Sequence, residues 1–95
     1  MNRVEIITNL AKLYDYYSQK RVDATQSLKE SYENDEGAAN FDIKICNVSK
    51  YLVITDFFID RLKENGVRYV ERVDDKIKVK YFDEDGKTQE ILIGE

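Results

Sequence analysis

The residues that most enzymes use for acid–base, nucleophilic and zinc chemistry are nearly missing from this chain. It contains no histidine, which excludes Ser-His and Cys-His pairs and histidine ligands for a metal. The single cysteine, Cys46, has no partner for a disulfide and lies in an apolar run, so we interpret it as a small core residue. The 19 acidic residues include pairs, but none stands where its pKa should be shifted. We therefore expect a non-catalytic protein without a metal or cofactor.

Two short runs near the C-terminus resemble ligand loops but lack essential residues. DEDG, residues 83–86, begins like a calcium loop, yet its glycine comes too early and the required glutamate does not follow. GKT, residues 86–88, lacks the upstream glycine of a phosphate-binding loop. We interpret residues 83–88 as a hairpin turn in which Gly86 adopts a positive φ angle.

The acidic residues form two groups on a chain whose net charge is −4. Residues 30–42 contain no lysine or arginine, and their acidic members are Glu30, Glu33, Asp35, Glu36 and Asp42. The second group is Asp83, Glu84 and Asp85. Such surfaces oppose phosphate-backbone binding and favour a protein partner with a basic surface. The alternative is that these loops only keep the protein soluble.

Tyrosine is frequent, and three tyrosines, at 14, 16 and 17, lie close together on a predicted helix. They cannot all face one core, and exposed tyrosine is a common anchor in protein interfaces. We therefore add two of them to the acidic groups as candidate partner-binding residues. The complete candidate set is Tyr14, Tyr16, Glu30, Glu33, Asp35, Glu36, Asp83, Glu84 and Asp85.

Residues 2–33 lack glycine and proline and place apolar side chains at helical spacing. These are Ile6, Leu10, Leu13, Tyr17, Ala24, Leu28 and Tyr32. Asn2 and Glu5 have the spacing of a capping box, which indicates a helix that begins near residue 3. One helix over 3–33 would be about 46 Å long. A compact domain of this size is only about 30–35 Å across.

This length leaves two interpretations open. Asp23 and Gln26 repeat the capping-box spacing, which favours a break near residue 22. The alternative is one unbroken helix that projects from the domain and forms a homodimer.

Residues 45–66 also have two interpretations. The segment resembles the helix-turn-helix of lactose-repressor-type regulators, with Ser49 as the small residue between helices. The positions that match the buried residues of the motif are Val48, Leu52, Ile54, Ile59 and Leu62. This resemblance implies a DNA-binding regulator whose wing would carry Lys76, Lys78 and Lys80. Its groove-facing residues would be Asp56, Phe57, Asp60, Arg61 and Glu64, a predominantly acidic set.

We favour the other interpretation, in which FDIKICNVSKYLVIT, residues 41–55, forms a β-hairpin. Phe41, Ile43 and Ile45 alternate with polar residues, and YLVIT is rich in β-branched and aromatic residues. Thr55 would then cap a short helix that ends at Gly66. Three alternating segments between residues 67 and 93 predict an antiparallel meander. The lysines at 76, 78 and 80 fit the solvated face of an edge strand.

The expected fold is therefore a single α+β domain, residues 1–95. It consists of an N-terminal helix with a possible break near residue 22, a β-hairpin, a short helix and a three-stranded antiparallel meander. The chain has no apolar run that could span a bilayer, and its single cysteine fits a reducing cytoplasm. The composition is typical of an AT-rich bacterial or phage genome. We expect an inhibitor of a nucleic-acid-handling machine, such as a CRISPR effector, that acts through acidic surfaces.

Overall fold

The computed structural model describes residues 1–35 and 37–94 and contains two helices followed by a three-stranded sheet. The helices are α1, Arg3–Glu33, and α2, Ala38–Glu64. The strands are β1, Val67–Val73, β2, Lys76–Phe82, and β3, Thr88–Gly94. The predicted α+β class is confirmed, although both helices precede the whole sheet. None of the helices in the described part is long and apolar enough to cross a membrane.

The first helix is continuous, so the favoured break near residue 22 is wrong. Asn2 caps the helix by accepting a hydrogen bond from the Glu5 amide at 2.8 Å, as the capping-box spacing predicted. Asp23 does not start a second helix, because its carboxylate accepts a bond from the Gln19 amide group one turn earlier, at 3.1 Å. Such i,i+4 bonds run along a helix and support its continuation.

The second helix shows that both interpretations of residues 41–66 are wrong. A β-hairpin over 41–55 and a helix-turn-helix would each need a turn, and α2 runs without interruption through Val53. Its buried and half-buried side chains include a set at alternating steps of three and four residues, Phe41, Lys44, Val48, Tyr51, Thr55, Phe58 and Leu62. This heptad spacing is the seam of a helix packed along α1. Packing along the whole helix outweighs the local β propensity of YLVIT.

Thr55 was expected to cap a helix and instead lies buried in the middle of α2. Its hydroxyl group donates a hydrogen bond to the Leu52 carbonyl oxygen at 3.0 Å, so the buried oxygen has a partner within the helix. The predicted end of the helix is confirmed, because Asn65 is the C-cap and Gly66 has φ +82°.

The predicted meander is confirmed, with antiparallel strands in the order β1-β2-β3. Asp74 and Gly86 adopt positive φ angles in its two turns. Ile77 and Val79 point into the core and alternate with the three lysines, as expected. Because β2 is the central strand, these lysines do not lie on an edge strand, which corrects that part of the prediction.

The core lies at one end of the helical hairpin, where the sheet covers it. Its buried apolar residues are Ile7, Ala11, Leu62, Val67, Ile77, Val79 and Ile93, from both helices and all three strands. At the rim, Arg72 of β1 forms an ion pair with Asp15 of α1 at 2.7 Å. The sheet is therefore joined to the half of α1 nearest the N-terminus.

Arg3 ties three chain segments together at the same end. Its guanidinium group donates to the Asn65 carbonyl oxygen at 2.7 and 3.1 Å, and also to the Phe82 carbonyl oxygen. The Asn65 carbonyl lies at the end of α2 and the Phe82 carbonyl at the end of β2, so one side chain satisfies backbone acceptors from both. A side chain at Gly66 would strike this guanidinium group.

The other half of the helical hairpin projects beyond the sheet, and we call it the arm (residues 22–33 and 38–54). The molecule measures 55 × 25 × 20 Å and its radius of gyration is 16.4 Å. A compact chain of this length would have a radius of gyration of about 12 Å. Its accessible surface is 6625 Å², whereas a compact protein of its mass exposes about 5,700 Å². The arm therefore leaves an excess of about 900 Å² in contact with water.

Candidate protein-binding surface

The structure separates the two predicted acidic groups. Glu33 ends α1 and Asp35 lies in the loop at the tip of the arm, where both are exposed. Asp83 lies near Arg3 and Val4, at the opposite end of α1. Since a helix of 31 residues spans about 46 Å, the two groups cannot bind one small patch. Glu30 is exposed on the last turns of α1 and accepts a bond from Gln26. Glu36 lies outside the described residues.

Asp83 holds the turn between β2 and β3 together. Its carboxylate accepts bonds from the amides of Asp85 and Lys87, both at 2.9 Å, and from the Gln89 side chain at 2.8 Å. These bonds stabilise the charged form and lower the pKa of Asp83, first through Gln89 and next through the Lys87 amide. The other two members of the group, Glu84 and Asp85, have exposed side chains.

The lowered pKa of Asp83 predicts the direction of an acid effect on this turn. The stabilisation should be complete above the ordinary carboxyl pKa of about 3.9 and should be lost as the pH falls through the lower folded value. An NMR titration of the Asp83 carboxyl carbon should give a pKa below the ordinary value, and the Lys87 amide should shift with it. A pKa at or above the ordinary value would contradict the role assigned to these bonds. In Gln89→Ala the Asp83 pKa should rise toward the ordinary value.

The two predicted tyrosines differ in exposure. Tyr14 is half-buried and packs against the core, while Tyr16 is 55% exposed. Tyr16 begins a row of aromatic rings that crosses from α1 to α2, with neighbouring ring centres 5.1 to 5.7 Å apart. The row consists of Tyr16, Tyr17, Phe58 and Phe57, in that order. Lys20 lies over the Tyr16 ring and Arg61 over the Phe57 ring, each at 5.3 Å.

A line of exposed apolar residues continues from Phe57 along α2, and we call it the outer stripe (Ile43, Cys46, Val53 and Phe57). Steps of three, seven and four residues place these side chains along one side of the helix, and the exposed Lys50 lies among them, four residues after Cys46 and three before Val53. Ile43, Val53 and Phe57 are 53% to 69% exposed, and the Cys46 side chain is also exposed. The interpretation of Cys46 as a core residue is therefore wrong. The seam faces α1 and leaves this second apolar side of α2 uncovered.

Unpaired carboxylates flank the outer stripe. Asp42, Asp56 and Asp60 are exposed, and within residues 1–35 and 37–94 they form no hydrogen bond or ion pair. Asp56 and Asp60 belong to the set that the helix-turn-helix interpretation assigned to a DNA groove. Together with Lys50 and Arg61 on the stripe itself, they give a border of mixed charge, which fits a protein surface with an apolar centre and a polar rim of both signs.

The sequence carried a signal for the outer stripe that our interpretation did not use. Residues 43, 46, 53 and 57 show helical spacing only if 38–64 is one helix. Dividing the segment between a hairpin and a short helix placed 43 and 57 on different elements. The carboxylates beside the stripe, at 42, 56 and 60, are spread along α2 and form no cluster in the sequence.

The exposure of Cys46 predicts fast alkylation in the folded protein. We expect a thiol reagent to modify native Cys46 within a few-fold of the rate in denaturant, because the thiol is accessible to the reagent. The measurement is the rate at which the mass of the alkylated protein appears by mass spectrometry, with and without guanidinium chloride. Protection by a hundred-fold or more would show that this side of α2 is buried in the native protein.

The described residues contain no group of three or more cysteine, aspartate and glutamate side chains placed to hold a metal ion. Comparison of the chain with protein-family models, curated proteins and solved structures gives no match. The surfaces of the molecule itself are therefore the guide to its function.

Proposed function

We propose that the protein is a non-catalytic protein-binding module and that the outer stripe, with the exposed end of the aromatic row, is its binding surface. The observation that carries the proposal is the outer stripe itself, a line of exposed apolar residues on the side of α2 that lies opposite the seam with α1. Burial of such side chains is worth about 25 cal/mol for each Å² removed from water. A helix that binds in this way inserts its apolar face into a groove of the partner.

The charges beside the stripe define the partner further. The carboxylates of Asp42, Asp56 and Asp60, which are unpaired among the described residues, would lie at the rim of the interface when the apolar residues are buried. The net charge of −4 adds a long-range attraction to a basic protein. The expected partner therefore has an apolar groove bordered by lysine and arginine, with an acidic side chain opposite Lys50. Tyr16 and Phe57 supply the aromatic anchors that are enriched in interface centres.

In its more specific form, the proposal is an inhibitor of a nucleic-acid-handling protein, such as a CRISPR effector. A groove that binds DNA or RNA is basic, so carboxylates on α2 would occupy positions that phosphates otherwise take. Binding of the protein should then prevent the partner from binding its nucleic acid. A ternary complex with undiminished nucleic-acid affinity would reject this specific form and leave the binding module intact.

Quantitative affinity capture from the native host tests the binding surface. Baits carrying Val53→Glu or Phe57→Glu should lose a specific partner that the wild-type bait retains, because each variant places a charge in the apolar centre. The matched control is Leu92→Glu, since Leu92 is 59% exposed on the sheet. The control bait should capture the partner as the wild type does. Equal capture by all four baits would contradict the proposal.

We expect this protein not to bind DNA tightly. The exposed face of α2 carries acidic residues that repel phosphates, and α2 has no turn to present a separate recognition helix. A fluorescence titration with mixed duplex DNA at low salt should give no submicromolar binding. Submicromolar, salt-dependent binding would show that the protein contacts DNA through a surface other than the one described here.

A further inference from the structure

A second apolar surface lies on the arm, on the side of the helical hairpin that carries β1. At the base of this side, Ile59 lines a groove together with Val67 and Val70, so the sheet borders it there. Leu52 and Ile45 lie seven and fourteen residues before Ile59. In a packed helix this spacing places all three side chains in one line along α2. Both are exposed, because the sheet does not extend over the arm.

The first helix contributes to the same surface. Val22 lines a groove with Val70 and Arg72, which places it on the β1 side of the hairpin. Thr25 and Tyr32 follow Val22 on this side of α1, three and ten residues further along. We call this surface the inner flank (Val22, Thr25, Tyr32, Ile45 and Leu52). Its four large apolar side chains are 39% to 77% exposed.

We propose that the inner flank is a self-association surface and that two copies of the chain pair their arms across it. The border of the flank carries charges of both signs, with Lys29 on α1 and with Asp42 and Asp56 on α2. Asp42 lies three residues before Ile45, and Asp56 lies four residues after Leu52. A surface that carries both signs can be complementary to its own copy, which favours a second chain as the occupant.

The exposed area supports the same occupant. The molecule exposes 6625 Å², about 900 Å² more than a compact protein of its mass. A standard protein interface buries about 800 Å² on each partner. Two arms paired along their inner flanks would therefore bring each chain close to the exposure of a compact protein. With a two-fold axis, both copies contribute the same surface to the interface.

Steric limits select an antiparallel arrangement of the two arms. Each copy carries its sheet on the β1 side of the hairpin, so parallel arms would bring both sheets to one place. Antiparallel arms keep the sheets at opposite ends and form a four-helix bundle between them. Thr25 lies in the first half of the uncovered part of α1, about 4 Å along the helix from its middle, so the two copies of this residue lie on either side of the two-fold axis.

Sedimentation equilibrium of the full chain tests the proposal, with neighbouring residues as matched variants. The wild type should be a dimer at concentrations of about 10–100 µM, and Leu52→Glu should weaken the dimer at least about tenfold. Val53→Glu carries the same charge on the adjacent residue, which belongs to the outer stripe, and should leave the dimer unchanged. A wild type that stays monomeric at millimolar concentration, or equal weakening by both variants, would overturn the proposal.

A second measurement does not depend on the folding of Leu52→Glu. In a Cys46→Ser background, Thr25→Cys should form an intermolecular disulfide under mild oxidation, while Gln89→Cys on the sheet should remain monomeric. No dimer from the Thr25 variant would contradict the antiparallel arrangement. This inference does not rest on the proposed function, because the partner surface and the dimer surface use different sides of α2. Val53→Glu should remove partner capture and keep the dimer, and Leu52→Glu should do the reverse.

Discussion

Replacement of Gly66 by alanine is expected to lower the free energy of unfolding by about 3 kcal/mol. Two costs add at this position. Gly66 has φ +82°, a conformation that costs a residue with a Cβ about 1–2 kcal/mol. The new methyl group would also approach the Phe82 carbonyl oxygen to 3.1 Å and collide with the Arg3 guanidinium group. Arg3 must then give up bonds that join α1 to the ends of α2 and β2.

Two other glycines separate these costs. Gly86 has φ +77° and open space around it, so Gly86→Ala should show only the backbone strain, about 1–2 kcal/mol. Gly37 has a negative φ angle and open space but is the N-cap of α2, where alanine is disfavoured, so Gly37→Ala should cost no more than about 1 kcal/mol and no backbone strain. Urea unfolding followed by circular dichroism gives all three values. If Gly66→Ala cost no more than Gly86→Ala, the Arg3 contacts would have no part in stability.

Arg3→Ala should remove the steric part of the Gly66 effect. In the double variant the clash is absent, so Gly66→Ala should cost less in the Arg3→Ala background than in the wild type. A cycle of the four proteins measures this difference. Strict additivity of the two substitutions would show that the two residues act independently.

The second large effect is expected from Ile7→Ala, which should cost about 3–4 kcal/mol of unfolding free energy. Ile7 is fully buried beneath the sheet, and the substitution removes three carbon atoms from the core. The matched control is Ile43→Ala on the outer stripe. Ile43 is 60% exposed, so the same chemical change there should cost less than about 1 kcal/mol.

This pair of substitutions shows whether the outer stripe contributes to stability or to partner binding. If Ile43→Ala is nearly neutral for stability and weakens partner capture, then Ile43 contributes to binding rather than to the fold. If both isoleucines cost the same in urea unfolding, the arm is part of the core. That outcome would remove the argument that the stripe is free for a partner.

Local signals predicted those elements whose ends are determined by neighbouring residues. Asn2 with Glu5, and Gly66 at a left-handed position, define a helix start and a helix end through bonds to nearby backbone. The meander follows from strict alternation on β2 and from turns that need positive φ angles. In these segments, local and tertiary preferences agree.

The helical hairpin could not be predicted in the same way, because the apolar spacing that predicts it is visible only over long segments. The apolar run around Leu52 and Val53 favours a strand locally, and only the seam from Phe41 to Leu62 shows a helix. Asp23 had the spacing of a cap but bonds along α1 instead. A compact shape was expected for a chain of this length, and an unbroken α1 is longer than such a domain is wide. That expectation also favoured a break in α1.

The candidate surface was predicted only in part for the same reason. Tyr14 and Tyr16 were both candidate interface residues; the structure exposes Tyr16 at the end of an aromatic row and packs Tyr14 against the core. The outer stripe depends on α2 being one helix, so it could not be recognised while the segment was divided. The two acidic groups are clear in the sequence, yet their separation along α1 depends on that helix being unbroken.

The most direct test of the central claim, that the outer stripe is buried by a protein partner, uses the native thiol of Cys46 as a probe. The rate of Cys46 alkylation should be measured in the free protein and in the complex captured from the host. The reference is Leu92→Cys in a Cys46→Ser background, which reports on the sheet. We predict at least a tenfold slower rate at Cys46 in the complex and an unchanged rate at residue 92. An unchanged rate at Cys46, with or without protection of residue 92, would contradict the claim.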